Sequence, residues 1–274
     1  MKELIYRIVR KLIRRILPAN GATKPTAASP LLAMVEQGSL LPSDALLRLG
    51  TPYGGWLIPA HAKLGPDSVC YLAGAGEDIS FDCALVRHFG CHTRIIDPTP
   101  RAIEHFQQLT TAIQNKQRFP INNSTTEFYD LTPAQLELIK FLPVGLADKD
   151  IELKFFLPKN PAHVSCSTVN LQKTSNFFTA QCHRLSTLMA QQHHPQIDLL
   201  KMDIEGAEYA VIRDLVSTQC LPHLLLIEFD EAHSPQDDGA AERIHTHVQM
   251  LLNAGMRCAA IEGSNMTFIS EAKD

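Results

Sequence analysis

From residue 68 onward, short apolar runs alternate with stretches of helical periodicity, and this alternation narrows the fold more than any other property of the chain. "SVCYLA", "TRIID", "FLPVGL", "IDLLKMDI" and "HLLLIEFD" are apolar runs of strand length. Helical patterns follow the first, second, fourth and fifth: "ISFDCALVRHF", "PRAIEHFQQLTTAIQ", "AEYAVIRDLV" and "AERIHTHVQMLLNAG". In the first helix Ile79, Leu85, Val86 and Phe89 are the core positions, and Gly90 ends it. Thr99 offers the second helix a capping hydroxyl, with Pro100 at the first helical position. Strands alternating with helices predict a mostly parallel, doubly wound α/β sheet. "RCAAIEG" and "NMTFIS" close the chain as strands, the last pair antiparallel, giving an antiparallel C-terminal edge strand. Residues 146–190 break the alternation. There "DIELKFFLP" and "FFTAQCHRL" read as strands flanking "KNPAHVSCSTVNLQKTSN", either a β insertion over the ligand-facing edge or an ordinary surface excursion.

Ligands of such sheets sit beyond the carboxyl ends of the strands, so the residues just after each strand carry the chemistry. After the first strand comes "YLAGAGEDISFD". Gly74 and Gly76 bring backbone amides and a helix start toward a ligand. A pyrophosphate-binding turn would continue to a third glycine, but Ile79 holds that place. Glu77 and Asp78 would repel phosphate. They suit a ligand that carries positive charge, such as the sulfonium and ammonium of S-adenosylmethionine. Asp97, at the end of the second strand, can accept hydrogen bonds from both hydroxyls of an adenosine ribose. The plainer alternative is that Asp78 and Asp97 only cap helices.

Along the fourth strand Lys201, Asp203 and Glu205 alternate and point to one face. Gly206 then lets the chain turn, and Glu208 lies in the first turn of the next helix, where negative charge is favoured. Glu228 ends the fifth strand nearby. Asp203, Glu205 and Glu228 can therefore converge at the mouth of a ligand pocket. A carboxylate there can align an acceptor hydroxyl and take its proton. The same acids can instead hold a divalent cation, or form a structural network with Lys201. A metal is not the expected outcome. In the 146–190 segment, His163, Ser165 and Ser167 of "HVSCS" are candidates to bind the acceptor, with His163 alternatively the base, or only to stabilise a turn. Trp56 packs the segment ahead of the sheet in preference to stacking on adenine.

"YLAGAGEDISFDCAL", "IIDPTPRAI", "LLKMDIEGAEYAVI" and "LLLIEFD" resemble the FkbM-type methyltransferase family (Methyltransferase 21 domain). "YGGWLIP" and "NPAHVSCS" resemble its subgroup akin to methyltransferase-like protein twenty-four. The likeness runs from about Tyr53 to Ser270. It implies a class I Rossmann-like methyltransferase fold, S-adenosylmethionine as methyl donor, and a hydroxyl acceptor on a sugar, glycan or secondary metabolite. Carried over residue by residue, the cofactor loop falls on Gly74, Ala75, Gly76, Glu77 and Asp78. The ribose acid falls on Asp97, with Pro98 and Thr99 beside it. The cofactor edge after the third strand falls on Gly145, Leu146 and Ala147. Ala73 and Ala75 depart from the "SFGVG" pattern of relatives, but both are small.

The 274 residues suit one domain with short appendages. A net charge of −4 with interspersed signs gives no basic footprint for nucleic acid. No run of about 18 apolar residues exists to span a membrane. Seven scattered cysteines without a C-x-x-C read as reduced thiols of a cytoplasmic protein. Residues 1–17, "MKELIYRIVRKLIRRIL", put an apolar face opposite Lys2, Arg7, Arg10, Lys11, Arg14 and Arg15. Such a basic amphipathic helix fits the anionic inner face of a membrane, where acceptors are lipid-linked, or a docking surface on its own domain. Residues 18–30 read as a flexible linker and 31–274 as the catalytic domain. Two further functions compete with methyl transfer: a nucleotide-dependent oxidoreductase on a related fold, and a non-catalytic membrane-attached binding protein.

Overall fold

The structure is a computed structural model that describes residues 29–157 and 174–270. The helix expected over 1–17, nearly all of the linker, and His163, Ser165 and Ser167 lie outside the described residues. Among the described residues no helix is long and apolar enough to cross a membrane.

An antiparallel pair comes first, β1 (Leu46–Leu49) and β2 (Trp56–Pro59). The main sheet begins with β3 (Val69–Ala73), α1 (Ser80–Phe89), β4 (His92–Ile96), α2 (Pro100–Gln114), a short α3 (Pro133–Leu136) and β5 (Ile139–Leu142). A small separate sheet follows, made of β6 (Gly145–Leu146), β7 (Ile151–Phe156) and β8 (Phe177–His183). The main sheet resumes with α4 (Leu185–Gln191), β9 (Leu199–Met202), α5 (Glu208–Ser217), β10 (Leu224–Glu228), α6 (Ala240–Asn253), β11 (Met256–Glu262) and β12 (Asn265–Ser270). Its order is β11-β12-β10-β9-β3-β4-β5. The strands β10, β9, β3, β4 and β5 pair in parallel, and β12 is antiparallel to both neighbours. Strand order reverses between β3 and β9, which opens the crevice at their carboxyl ends. This is an α/β, Rossmann-like methyltransferase fold.

Three details differ from the sequence expectation. The run "FLPVGL" is two strands, because Pro143 has no N–H to donate to a ladder. β5 stops at Leu142, and Gly145–Leu146 turns away to pair with β8. The antiparallel C-terminal strand is one place in from the edge, since the tight turn at Gly263 (φ +62°) folds β12 back between β11 and β10. Residues 185–190, read as part of the insertion, form α4, whose Leu185 and Leu188 are buried in the main core.

The core lies on both faces of the sheet. Leu188, Ile212 and Val248 from α4, α5 and α6 cover one face. On the other, α2 contributes Leu109 and Ile113 against Ile95, and Trp56, Ile58 and Phe81 pack together. Gly90 closes α1 in the left-handed conformation (φ +69°), its N–H donating to the Val86 carbonyl. The segment before β1 is fastened to the β11–β12 hairpin: Leu41 N–H donates to the Ala259 carbonyl at 2.8 Å and Ser29 Oγ to the Gly263 carbonyl at 2.7 Å.

Candidate active site

A cleft of about 910 Å³ opens at the carboxyl ends of β3, β4, β9 and β10. The glycine loop forms its floor. Gly74 has φ +83°, and a Cβ there would overlap the Asp203 carbonyl oxygen, so the loop runs directly against the end of β9. Two further bonds hold it. Gly74 N–H donates to the Ile96 carbonyl at 3.0 Å, and Lys201 Nζ donates to the Gly74 carbonyl at 2.6 Å. Lys201 is buried and stands 3.8 Å from an Asp203 oxygen. It braces the loop from within the sheet.

Asp97 is also buried. One of its oxygens accepts from Ala75 N–H (2.8 Å) and Gly76 N–H (3.0 Å), the other from Thr99 N–H (2.7 Å). A carboxylate offers about four lone-pair sites, so these bonds leave room for one more donor from the cleft. Among the described residues the Thr99 hydroxyl makes no cap bond at the start of α2. Glu77 and Asp78, expected to face a cationic ligand, both have protein partners. Glu77 forms a two-point pair with Arg101 of α2 (3.0 and 2.6 Å). Asp78 accepts from Thr51 Oγ1 (2.7 Å), Ser80 N–H (2.9 Å) and Asn122 Nδ2 (2.6 Å). Gly145 and Leu146 line the cleft beside Pro98 and Thr99. Ala147 is buried behind them, its N–H donating to the His183 carbonyl. Trp56 is buried and tilted against Phe81 at 6.5 Å.

The mouth is crowded with carboxylates. β9 ends at Met202, and Glu205 adopts φ +53°, so the strand alternation read from the sequence gives way to a turn after Asp203. That turn is closed by Glu208, a buried residue whose Oε1 accepts from Ile204 N–H (3.1 Å) and Gly206 N–H (3.2 Å). Asp203, Glu205 and Asp230 bring oxygens within 4.8 Å of one another, and Glu228, Asp230 and His233 form a second, overlapping set. Glu228 accepts from Ser264 Oγ at 3.1 Å. Burial first, then the charge of Asp203, pushes its carboxyl up to about 7. Asp230 is raised further, by burial and then by Glu205, Glu208, Asp203 and Glu228; its Oδ2 is buried without a hydrogen-bond partner. Asp230 and Tyr53 are cleft residues that the sequence reading missed. Asp230 was within its reach, being the last letter of the "HLLLIEFD" run.

A family model described as the methyltransferase FkbM domain matches residues 73–258. The chain belongs to the FkbM methyltransferase family. No curated protein matches it. The part shared with other FkbM methyltransferases runs from the last residue of β3 into β11. It takes in the glycine loop, Asp97, Asp203, Glu205, Glu228 and Asp230. The β1–β2 pair and the turn that joins its strands lie outside it.

Proposed function

We propose that this FkbM methyltransferase transfers a methyl group from S-adenosylmethionine to a hydroxyl oxygen of a sugar, glycan or secondary metabolite. The observation that carries the reading is the contiguity of the glycine loop with the carboxylate mouth, in which Glu228 titrates close to neutrality. The residues fit the cofactor: the loop has no side chain at Gly74 or Gly76, Asp97 retains acceptor capacity, and the surrounding carboxylates favour a cation. When bound, S-adenosylmethionine supplies an electrophilic methyl group on a sulfonium. The chain's own residues do the rest. Glu228, or Asp203 or Glu205 beside it, orients the acceptor hydroxyl and accepts its proton as the oxygen becomes nucleophilic. Lys201 keeps the loop in place. Asp97 holds the Ala75 and Gly76 amides while it receives the ribose. His163, Ser165 and Ser167 are assigned to acceptor contact.

The spacing of Asp203, Glu205 and Asp230 favours a second reading, in which these acids hold a divalent cation that lowers the hydroxyl pKa. Turnover that disappears with a chelator and returns with the ion would select it. For the cofactor, titration calorimetry with S-adenosylmethionine, S-adenosylhomocysteine and NAD is the direct test. Binding of the first two and not the third is expected; the reverse pattern would overturn the cofactor reading. We further propose that residues 1–17 attach this cytoplasmic enzyme to the anionic inner face of a membrane, near lipid-linked acceptors.

A further inference from the structure

The turn between β1 and β2 is built with unusual care for a surface loop. Arg48 NH2 donates to the carbonyls of Thr51 (3.1 Å) and Pro52 (3.2 Å), and Arg48 also pairs with Glu262. Thr51 N–H donates to Ser80 Oγ at 2.9 Å. Gly54 N–H donates to Thr51 Oγ1 at 2.9 Å, and that hydroxyl donates to Asp78 at 2.7 Å. A Cβ on Gly54 would stand 2.6 Å from the Asp78 carboxyl carbon, and one on Gly55 would overlap the Thr51 carbonyl. The turn is thus pressed onto the cofactor loop through Asp78.

What this clamped turn displays is Tyr53. It is 77 % exposed, more than any other large apolar or aromatic side chain among the described residues, and of the exposed ones only Tyr53 lines the cleft. Among the described residues it has no hydrogen-bond partner and no ring contact. Although most of the residue is exposed, partial desolvation and then the charges of Asp203, Glu228, Glu205 and Asp78 raise its pKa, so the hydroxyl remains a donor. An exposed aromatic ring that lines the same cleft as Asp203, Glu205 and Glu228 matches a ligand ring with apolar C–H faces and donating hydroxyls at its edge. The carboxylates also disfavour an acceptor that is itself anionic.

We propose that Tyr53 is an acceptor-binding residue of this site, its ring lying against one face of a neutral pyranoside and its hydroxyl donating to one of that sugar's oxygens. The proposal rests on the methyl-transfer reading of the cleft, and the test separates the two. The full chain, saturated with S-adenosylhomocysteine, is titrated by saturation-transfer NMR with methyl α-D-glucopyranoside, methyl α-D-mannopyranoside, D-glucuronate and catechol. Wild type should bind a neutral glycoside in preference to glucuronate. Tyr53→Ala should weaken that binding by about tenfold, the loss typical of truncating an aromatic anchor. Tyr53→Phe should retain most of it. Equal binding by Tyr53→Ala, preference for glucuronate, or binding of catechol alone would overturn the proposal, as would failure of both glycosides to bind wild type. Calorimetry with S-adenosylhomocysteine is run on the same samples. Binding by wild type and Tyr53→Ala alike keeps the methyl-transfer reading whatever the sugars do; no binding by wild type removes that reading and the proposal with it.

Discussion

Glu228 is held in the folded chain in a way that makes stability depend on pH. Its carboxyl is raised from the ordinary glutamate value to about 7, by burial first and then by Asp203. The fold therefore binds a proton that the unfolded chain has released. Between about pH 4.5 and 7 the folded state holds more protons than the unfolded one, so this group's effect on stability becomes less favourable as pH rises through that window. Removing the charge should reverse the effect. Glu228→Gln is expected to raise the free energy of unfolding at pH 8 by on the order of 2 kcal/mol and to leave it little changed at pH 4. If Glu228 is the base proposed above, the same substitution should lower turnover, and wild-type turnover should climb as pH rises through about 7, because the proposed base must be ionised. Denaturant melts at the two pH values and a pH–rate profile check this. Gly74 carries a second residue-scale expectation. Its positive φ and the adjacent Asp203 carbonyl leave no place for a methyl group. Gly74→Ala should cost about 1–3 kcal/mol in backbone strain alone, read as a shift in the denaturation midpoint, and should weaken cofactor binding by calorimetry.

Lys201 joins two elements, since its ammonium on β9 holds the carbonyl of the loop after β3. Lys201→Met should leave that carbonyl without its donor and the buried Asp82 without its nearest cation, whose field opposes the rise of the Asp82 carboxyl to about 6. A loss of about 3 kcal/mol or more is expected, measured by urea titration. The main-sheet elements were legible in the sequence because each announces itself locally. Val69–Ala73 and Leu224–Glu228 are apolar runs, Gly90 is a stop, and the period of α6 is regular. What the sequence hid depends on pairing at a distance. Nothing near Gly145 says that it will leave β5 for Cys182 on β8. Nothing near Asp78 says that Thr51 and Asn122 will take up its charge. Asp203 and Glu228 were readable as acids of the cleft from their places beyond strands four and five, whereas the strand alternation that was read through Asp203 and Glu205 stops at Met202.

For the molecule as a whole, the expectation that can be checked most directly concerns residues 1–17. Full-length protein should co-sediment with vesicles containing anionic lipid, and a form lacking residues 1–25 should stay in the supernatant. Each cation near the surface is worth about 1 kcal/mol, so raising the salt should release the full-length chain. Equal pelleting of the two forms, or indifference to lipid charge, would leave those residues as a docking element. The contact between Ser29 and the Gly263 carbonyl would give the proposed attachment a geometry. Gly263 lines the cleft, so Ser29 is bonded to one of the residues that form it. Residues 18–28 number eleven, and however they are arranged they span no more than roughly 40 Å. A membrane anchor at the far end would act as a short tether fixed to the doorway of the enzyme. Acceptors carried in the same leaflet would then meet that doorway at a local concentration set by the tether's length, and the bilayer itself would choose which substrates come within range.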